Sequence, residues 1–147
     1  LIRFPGHIRH RLEDLMISTV DIMPTVLGLM GLRDRIPATV AGRDFSRELL
    51  SGDWSTAPKP RSALYLGYNN KFKGVRTDRY SFQIDEDGEH LLWDNTKDPY
   101  QMHPIALDDL EKPEADFLRS ELGRWLKVSD DPWFSDRKHA DLIDYPA

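Results

Sequence analysis

Residues 18–31, STVDIMPTVLGLMG, restrict the fold more than any other stretch of the chain. They spell a short amphipathic helix with a proline near its start. Ser18, Thr19 and Asp21 all carry side-chain oxygens suited to an N-cap. With Asp21 as the cap, Pro24 falls in the first turn, where backbone N–H groups have no intrahelical partner. With Ser18 or Thr19 as the cap, Pro24 lies one turn deeper and bends the helix. Ile22, Val26, Leu29 and Met30 share one face. Gly31 ends the helix in a left-handed conformation. The string therefore demands a surface on which to bury that face.

The 147 residues suit one domain of ordinary size. Apolar residues make up 39% of the chain, which is low for a self-sufficient globule, and charged residues 31% with a net charge of −5. That balance argues against a nucleic-acid partner, which calls for a basic stripe, and against an anionic membrane surface. There is no cysteine, so no disulfide framework and no reading of redox compartment. No apolar run reaches the roughly 18 residues of a membrane-spanning helix. The chain opens at Leu1, inside a strand-like segment and without an initiator Met. We therefore expect a longer protein of which this is the C-terminal portion. Localisation is not legible.

Leu1–Phe4 reads as a strand closed by the Pro5-Gly6 turn. His7–Asp14 reads as a charged connector, and Ser46–Leu50 as one helical turn. The Pro-rich segment 53–61 is the expected linker. Beyond it the texture is β. Strands are expected at Ala63–Tyr68, across Phe72–Asp85 as a pair or one long strand, and at His90–Trp93. Asp87-Gly88 signals a hairpin turn with positive φ at both central residues. Pro113–Lys127 reads as a helix: acidic Glu114 and Asp116 open it and basic Arg124 and Lys127 close it. Ala115, Leu118, Leu122, Trp125 and Leu126 form its apolar stripe. Residues 128–147 read as an irregular tail.

Several blocks resemble a known family. Residues 18–31 resemble the "S-x-V-D-I-x-P-T-x-L" helix of sulfatases in the alkaline-phosphatase superfamily. LIRFPG (1–6) resembles "P-L-I-x-R-x-P-G", and GRDFSRELL (42–50) resembles "G-R-S/D-L-x-P-L-L". GVRTDRY (74–80) resembles "R-x-V-R-T-x-R-Y-K", and LLWDNTKDPYQMHPIA (91–106) resembles "E-L-Y-D-L-x-x-D-P-x-E-x-x-N-L-A". The blocks follow the family's order. The resemblance implies an α/β or α+β arrangement. Residues 1–52 would be the last strand and helix of the catalytic α/β domain, and 53–61 a linker. Residues 62–127 would be an antiparallel sheet of about three or four strands covered by a helix, and 128–147 a tail.

The resemblance also implies chemistry. Sulfatases use a formylglycine nucleophile from a "C/S-x-P-x-R" motif and a divalent cation, calcium, held by Asp and Asn oxygens. Neither that motif nor the family's "D-H/N-G" segment occurs here. The segment is thus expected to supply no catalytic residue and no metal ligand, and to be inactive alone. Its implied partners are the missing N-terminal sulfatase domain and a sulfated small molecule or carbohydrate; homo-oligomerisation of the segment is a further expectation.

Asn69, Asn70 and Lys71 lie in a polar loop whose family counterpart borders the catalytic cleft. They could donate hydrogen bonds to a sugar or sulfate oxygen, or simply form a turn. Arg76 and Arg79 could bind an anion, or pair with Asp78, Asp85 or Asp94 across the sheet. His7, His10 and Glu13 have metal-like spacing but lie in a charged connector that also carries Arg9 and Arg11. Asp85, Glu86, Asp87 and Glu89 read as a solvated hairpin tip, lacking the spacing of a calcium loop. Trp93 and Trp125 read as core, whereas Trp54 and Trp133 fall in irregular segments free to stack on a sugar. The alternatives are a phosphonate or phosphate monoester hydrolase of the same superfamily, or a non-catalytic carbohydrate-binding module.

Overall fold

A computed structural model describes residues 1–55, 59–67, 71–136 and 139–140. The chain divides into two compact units, Leu1–Pro60 and Arg61–Ala147.

The first unit is built around α1 (Ile22–Leu29) and α2 (Ser46–Ser51). A 3-10 turn, Thr19–Asp21, leads into α1, so Pro24 sits in the first helical turn and is buried. Asp21 does not cap this helix with its side chain. Its carboxylate instead accepts the Ser18 and Arg43 backbone N–H groups, each at 2.8 Å. Thr25 continues the clasp: its hydroxyl donates to the Arg43 carbonyl at 3.3 Å and accepts the Phe45 N–H at 3.1 Å. The helix thus buries its polar residues against the 43–45 backbone. Gly42 makes the approach feasible, since a Cβ there would lie 1.9 Å from the Val20 carbonyl oxygen. The helix ends as expected. Gly31 has φ +74°, its N–H donates to the Gly28 carbonyl, and the Leu32 N–H reaches back to Leu27.

The expected strand at Leu1–Phe4 makes no ladder, because a strand needs a neighbour to pair with and none of the described residues supplies one. The apolar face of α1 stands open, with Ile22 56%, Val26 47% and Met30 66% exposed. Phe45 and Leu49 are buried in this unit, and Trp54 packs on Phe45 with ring centroids 6.2 Å apart.

The second unit is a four-stranded antiparallel meander covered by a helix. Strands β1 (Ala63–Leu66), β2 (Phe72–Arg76), β3 (Tyr80–Asp85) and β4 (His90–Asp94) neighbour one another in chain order. Leu64, Val75, Phe82 and Leu92 line up across the register on one face. Helix α3 (Lys112–Val128) lays Ala115, Leu118, Leu122 and Leu126 on that row, and the short α4 (Pro132–Ser135) adds Trp133. Pro113 occupies the second helical position, where its missing N–H costs nothing.

Besides α4, which forms within the expected irregular tail 128–147, two sequence expectations change here. The Asp87-Gly88 turn has positive φ at Gly88 only. Asp85 accepts the Asp87 and Glu89 N–H groups, and the Asp85 N–H pairs with the Glu89 carbonyl. This is a three-residue loop with a glycine bulge, longer than the turn the dipeptide suggests. Trp133 is the second change. It is 9% exposed and belongs to the core, because Asp131 caps α4 and turns the ring inward over Lys73.

Candidate functional site

The β1–β2 loop carries the expected substrate contacts. Asn69 and Asn70 lie outside the described residues. Lys71 is described and exposed, and its carbonyl accepts the Glu86 N–H at 3.0 Å. That bond sets Lys71 beside the acidic β3–β4 hairpin. The Gly67 N–H closes the loop stem on the Phe72 carbonyl at 2.9 Å. Gly67 is required there, since a Cβ would strike the Phe72 ring. Lys71 is thus anchored through its backbone, with its side chain exposed to water, where it can meet an anionic group.

The opposite end of the sheet holds the two arginines. Arg79 takes the expected partner Asp94 at 3.1 Å and also Glu114 at 3.1 Å, and stacks over Tyr80. Hydrogen bonds from Thr96 hold the Asp94 carboxyl down at about 2, burial opposing and Arg79 assisting. Arg79 is therefore structural.

Arg76 behaves differently. It pairs with no carboxylate among the described residues. Its Nη1 donates to Ser81 Oγ at 3.0 Å and to Asn95 Oδ1 at 2.9 Å. Gln101 Nε2 donates to the same two oxygens at 2.9 Å each. Sequence reasoning did not find Ser81, Asn95 and Gln101. A signal existed: DPYQ places Gln101 where the family block has Glu.

The buried and half-buried carboxylates Asp131, Glu121, Asp44 and Asp21 are already committed. Asp131 is paired with Lys73, Glu121 with Ser62 and Arg124, Asp44 with Arg33, and Asp21 with backbone amides. Burial alone would raise the Asp44 and Glu121 carboxyls; their hydrogen bonds and neighbouring arginines outweigh it and hold both below the usual range. Among the described residues no three His, Asp or Glu side chains gather to hold a cation. His7 stacks on Phe4 and Glu13 pairs with Arg11. The expected free tryptophans do not form a sugar platform. Trp133 is core, and Trp54 is sandwiched by Phe45 and Arg11.

No family model matches the chain. Individual relatives do. An endo-4-O-sulfatase of Bacteroides thetaiotaomicron is 37% identical over 99% of this chain and 32% of its own length. A solved structure from work on glycosaminoglycan metabolism by B. thetaiotaomicron superimposes with a TM-score of 0.86 at 36% identity, over 97% of this chain and 33% of that one. The chain is a sulfatase C-terminal region. An ulvan-active sulfatase of Formosa agariphila is 31% identical over 83% of this chain and 24% of its own length. A sulfatase-named structure from Bacteroides fragilis matches with a TM-score of 0.70 at 30% identity, over 90% of this chain and 30% of that one. The chain spans about a third of the first of these relatives. For a sulfatase region the open face of α1 and the clasp of Asp21 and Thr25 on the "G-R" block are its two most legible features.

Proposed function

We propose that the chain is the C-terminal part of a sulfuric ester hydrolase acting on a sulfated polysaccharide. The observation that carries this is the match along 97–99% of the chain to proteins three times longer, in both sequence and fold. Residues 1–52 close the catalytic α/β domain, and the apolar face of α1 lies against its sheet. Residues 62–127 form one wall of the substrate cleft, with Asn69, Asn70 and Lys71 at its mouth. The preceding part of the protein supplies the cation and the formylglycine, which together provide charge neutralisation and a nucleophile. This segment contributes substrate contacts and shape, and alone releases no sulfate. The first relative's name and the glycosaminoglycan work on the first structure favour a 4-O-sulfated glycosaminoglycan as substrate.

The test is sulfate release by the longer protein from 4-O-sulfated glycosaminoglycan and ulvan oligosaccharides, followed by ion chromatography. Release is expected from at least one, with Lys71→Ala raising KM by roughly three- to tenfold at unchanged kcat, the loss of one charge-assisted contact. Hydrolysis of phosphonate or phosphate monoesters without any sulfate release would overturn the assignment.

A further inference from the structure

The cluster around Arg76 is built more carefully than a surface arginine requires. Ser81 and Asn95 are both buried. Asn95 is fixed from behind, its backbone and side-chain N–H groups donating to the Arg79 carbonyl at 2.7 and 2.9 Å. Gln101 reaches the pair from a left-handed backbone, φ +56°, which a non-glycine residue seldom adopts. Such strain persists where neighbouring contacts over-determine it.

Among the described residues every partner of Arg76 is neutral, and the carboxylates Asp94 and Glu114 are taken by Arg79. The guanidinium is half-buried and fixed through one nitrogen. The cross-strand row Arg76–Ser81–Trp93 ends in a buried indole N–H that has no acceptor among the described residues. Among the described residues the row thus carries an uncompensated cation and an unsatisfied donor on the sheet face away from α3.

We propose that Arg76 is a preorganised oxyanion receptor, positioned by Gln101, Ser81 and Asn95, that takes a sulfate or carboxylate from outside the described residues. The neutral amide at Gln101 leaves the guanidinium charge available; a carboxylate at that position would satisfy it internally. Two sources share this chemistry: the anionic group of a saccharide, and a carboxylate side chain from the rest of the sulfatase. The proposal takes only the class of anion from the sulfatase reading. Its measurements involve no turnover, so failure to bind and failure to hydrolyse are separate results.

The 147-residue chain is titrated with sodium sulfate and with a 4-O-sulfated N-acetylgalactosamine disaccharide, following the Arg76 Nε–H and Trp93 Nε1–H resonances by NMR. If a saccharide anion is the ligand, both signals shift saturably. Gln101→Glu and Arg76→Met each weaken the effect at least tenfold, and Arg76→Lys retains part of it. If the protein supplies the carboxylate, neither additive shifts the signals. Gln101→Glu then raises the Tm of the 147-residue chain by a few degrees, while Gln101→Glu and Arg76→Met both lower the Tm of the longer protein. Absence of ligand shifts, together with unchanged Tm for both variants in both proteins, overturns the proposal.

Discussion

Lys73 on β2 points into the core of the second unit and makes the sharpest prediction. Its side chain is 2% exposed and that of its partner Asp131 9%. Lys73 also lies over the Trp133 ring, 4.9 Å from its centroid, and Asp131 accepts the Trp133 N–H at 2.9 Å as the cap of α4. Lys73→Met keeps the aliphatic stem and removes only the charge. It leaves a buried carboxylate without a counter-ion, which costs about 3–5 kcal/mol. Loss of the cation–ring contact adds about 0.5–2 kcal/mol. A domain of this size has only about 5–15 kcal/mol in total. At roughly 4–8 °C per kcal/mol, Tm should fall by at least about 12 °C. The double variant Lys73→Met/Asp131→Asn keeps an acceptor for the cap and contains no buried charge. It should recover at least about 2 kcal/mol of the loss, because a neutral pair in this place carries no ionic desolvation. Chemical denaturation with matched m-values is the assay. A single variant within about 1 kcal/mol of the parent, or a double variant no better than the single, would refute the buried-pair argument.

Asp94, held at about 2 against an ordinary 3.8, stabilises the fold above the unfolded value and loses that contribution as pH falls through 2. Asp94→Asn should therefore cost about 1–2 kcal/mol at pH 7, after allowing for screening at the half-exposed Arg79, and progressively less as pH falls through 2; urea titrations at several pH values decide this. Gly42→Ala sets a methyl group against the Val20 carbonyl. It should cost at least about 1–3 kcal/mol, seen as faster hydrogen exchange at the Arg43 and Phe45 amides. Val26→Asp should change the stability of the 147-residue chain by less than about 0.5 kcal/mol, since the residue is exposed. The same change should cost several kcal/mol, or solubility, in the longer protein, where a buried charge would face the catalytic sheet; equal effects in both would show that nothing covers α1.

Much of this was legible in the residues themselves. The period of Ala115, Leu118, Leu122 and Leu126 marked the helix that covers the sheet, and all four are buried on it. Gly31 stopped α1 for the reason a glycine does, by adopting positive φ. The Arg79–Asp94 pair followed from charges placed on neighbouring strands. Errors came where a local pattern had more than one outcome. Asp87-Gly88 is compatible with two loop lengths, and the register of β3 and β4 selected the longer. Asp21 is a competent cap, but the Arg43 amide, distant in sequence, claimed its carboxylate.

The sequence alone marked α1 with its glycine stop, the antiparallel strands, α3 and the family resemblance, because periodicity, glycine placement and motif order are properties of neighbouring residues. It also led to the expectation, open to the Val26→Asp test, that a covering surface meets the apolar stripe of α1. Only the tertiary structure decided which polar groups meet. Lys73 and Asp131 are 58 residues apart and form a buried ion pair because β2 passes beneath the end of α3. Arg76 and Gln101 converge on Ser81 and Asn95 because antiparallel registry sets Ser81 opposite Arg76 and a strained turn returns Gln101 to them. Pairing across such distances depends on strand registry and chain return, which no local pattern encodes.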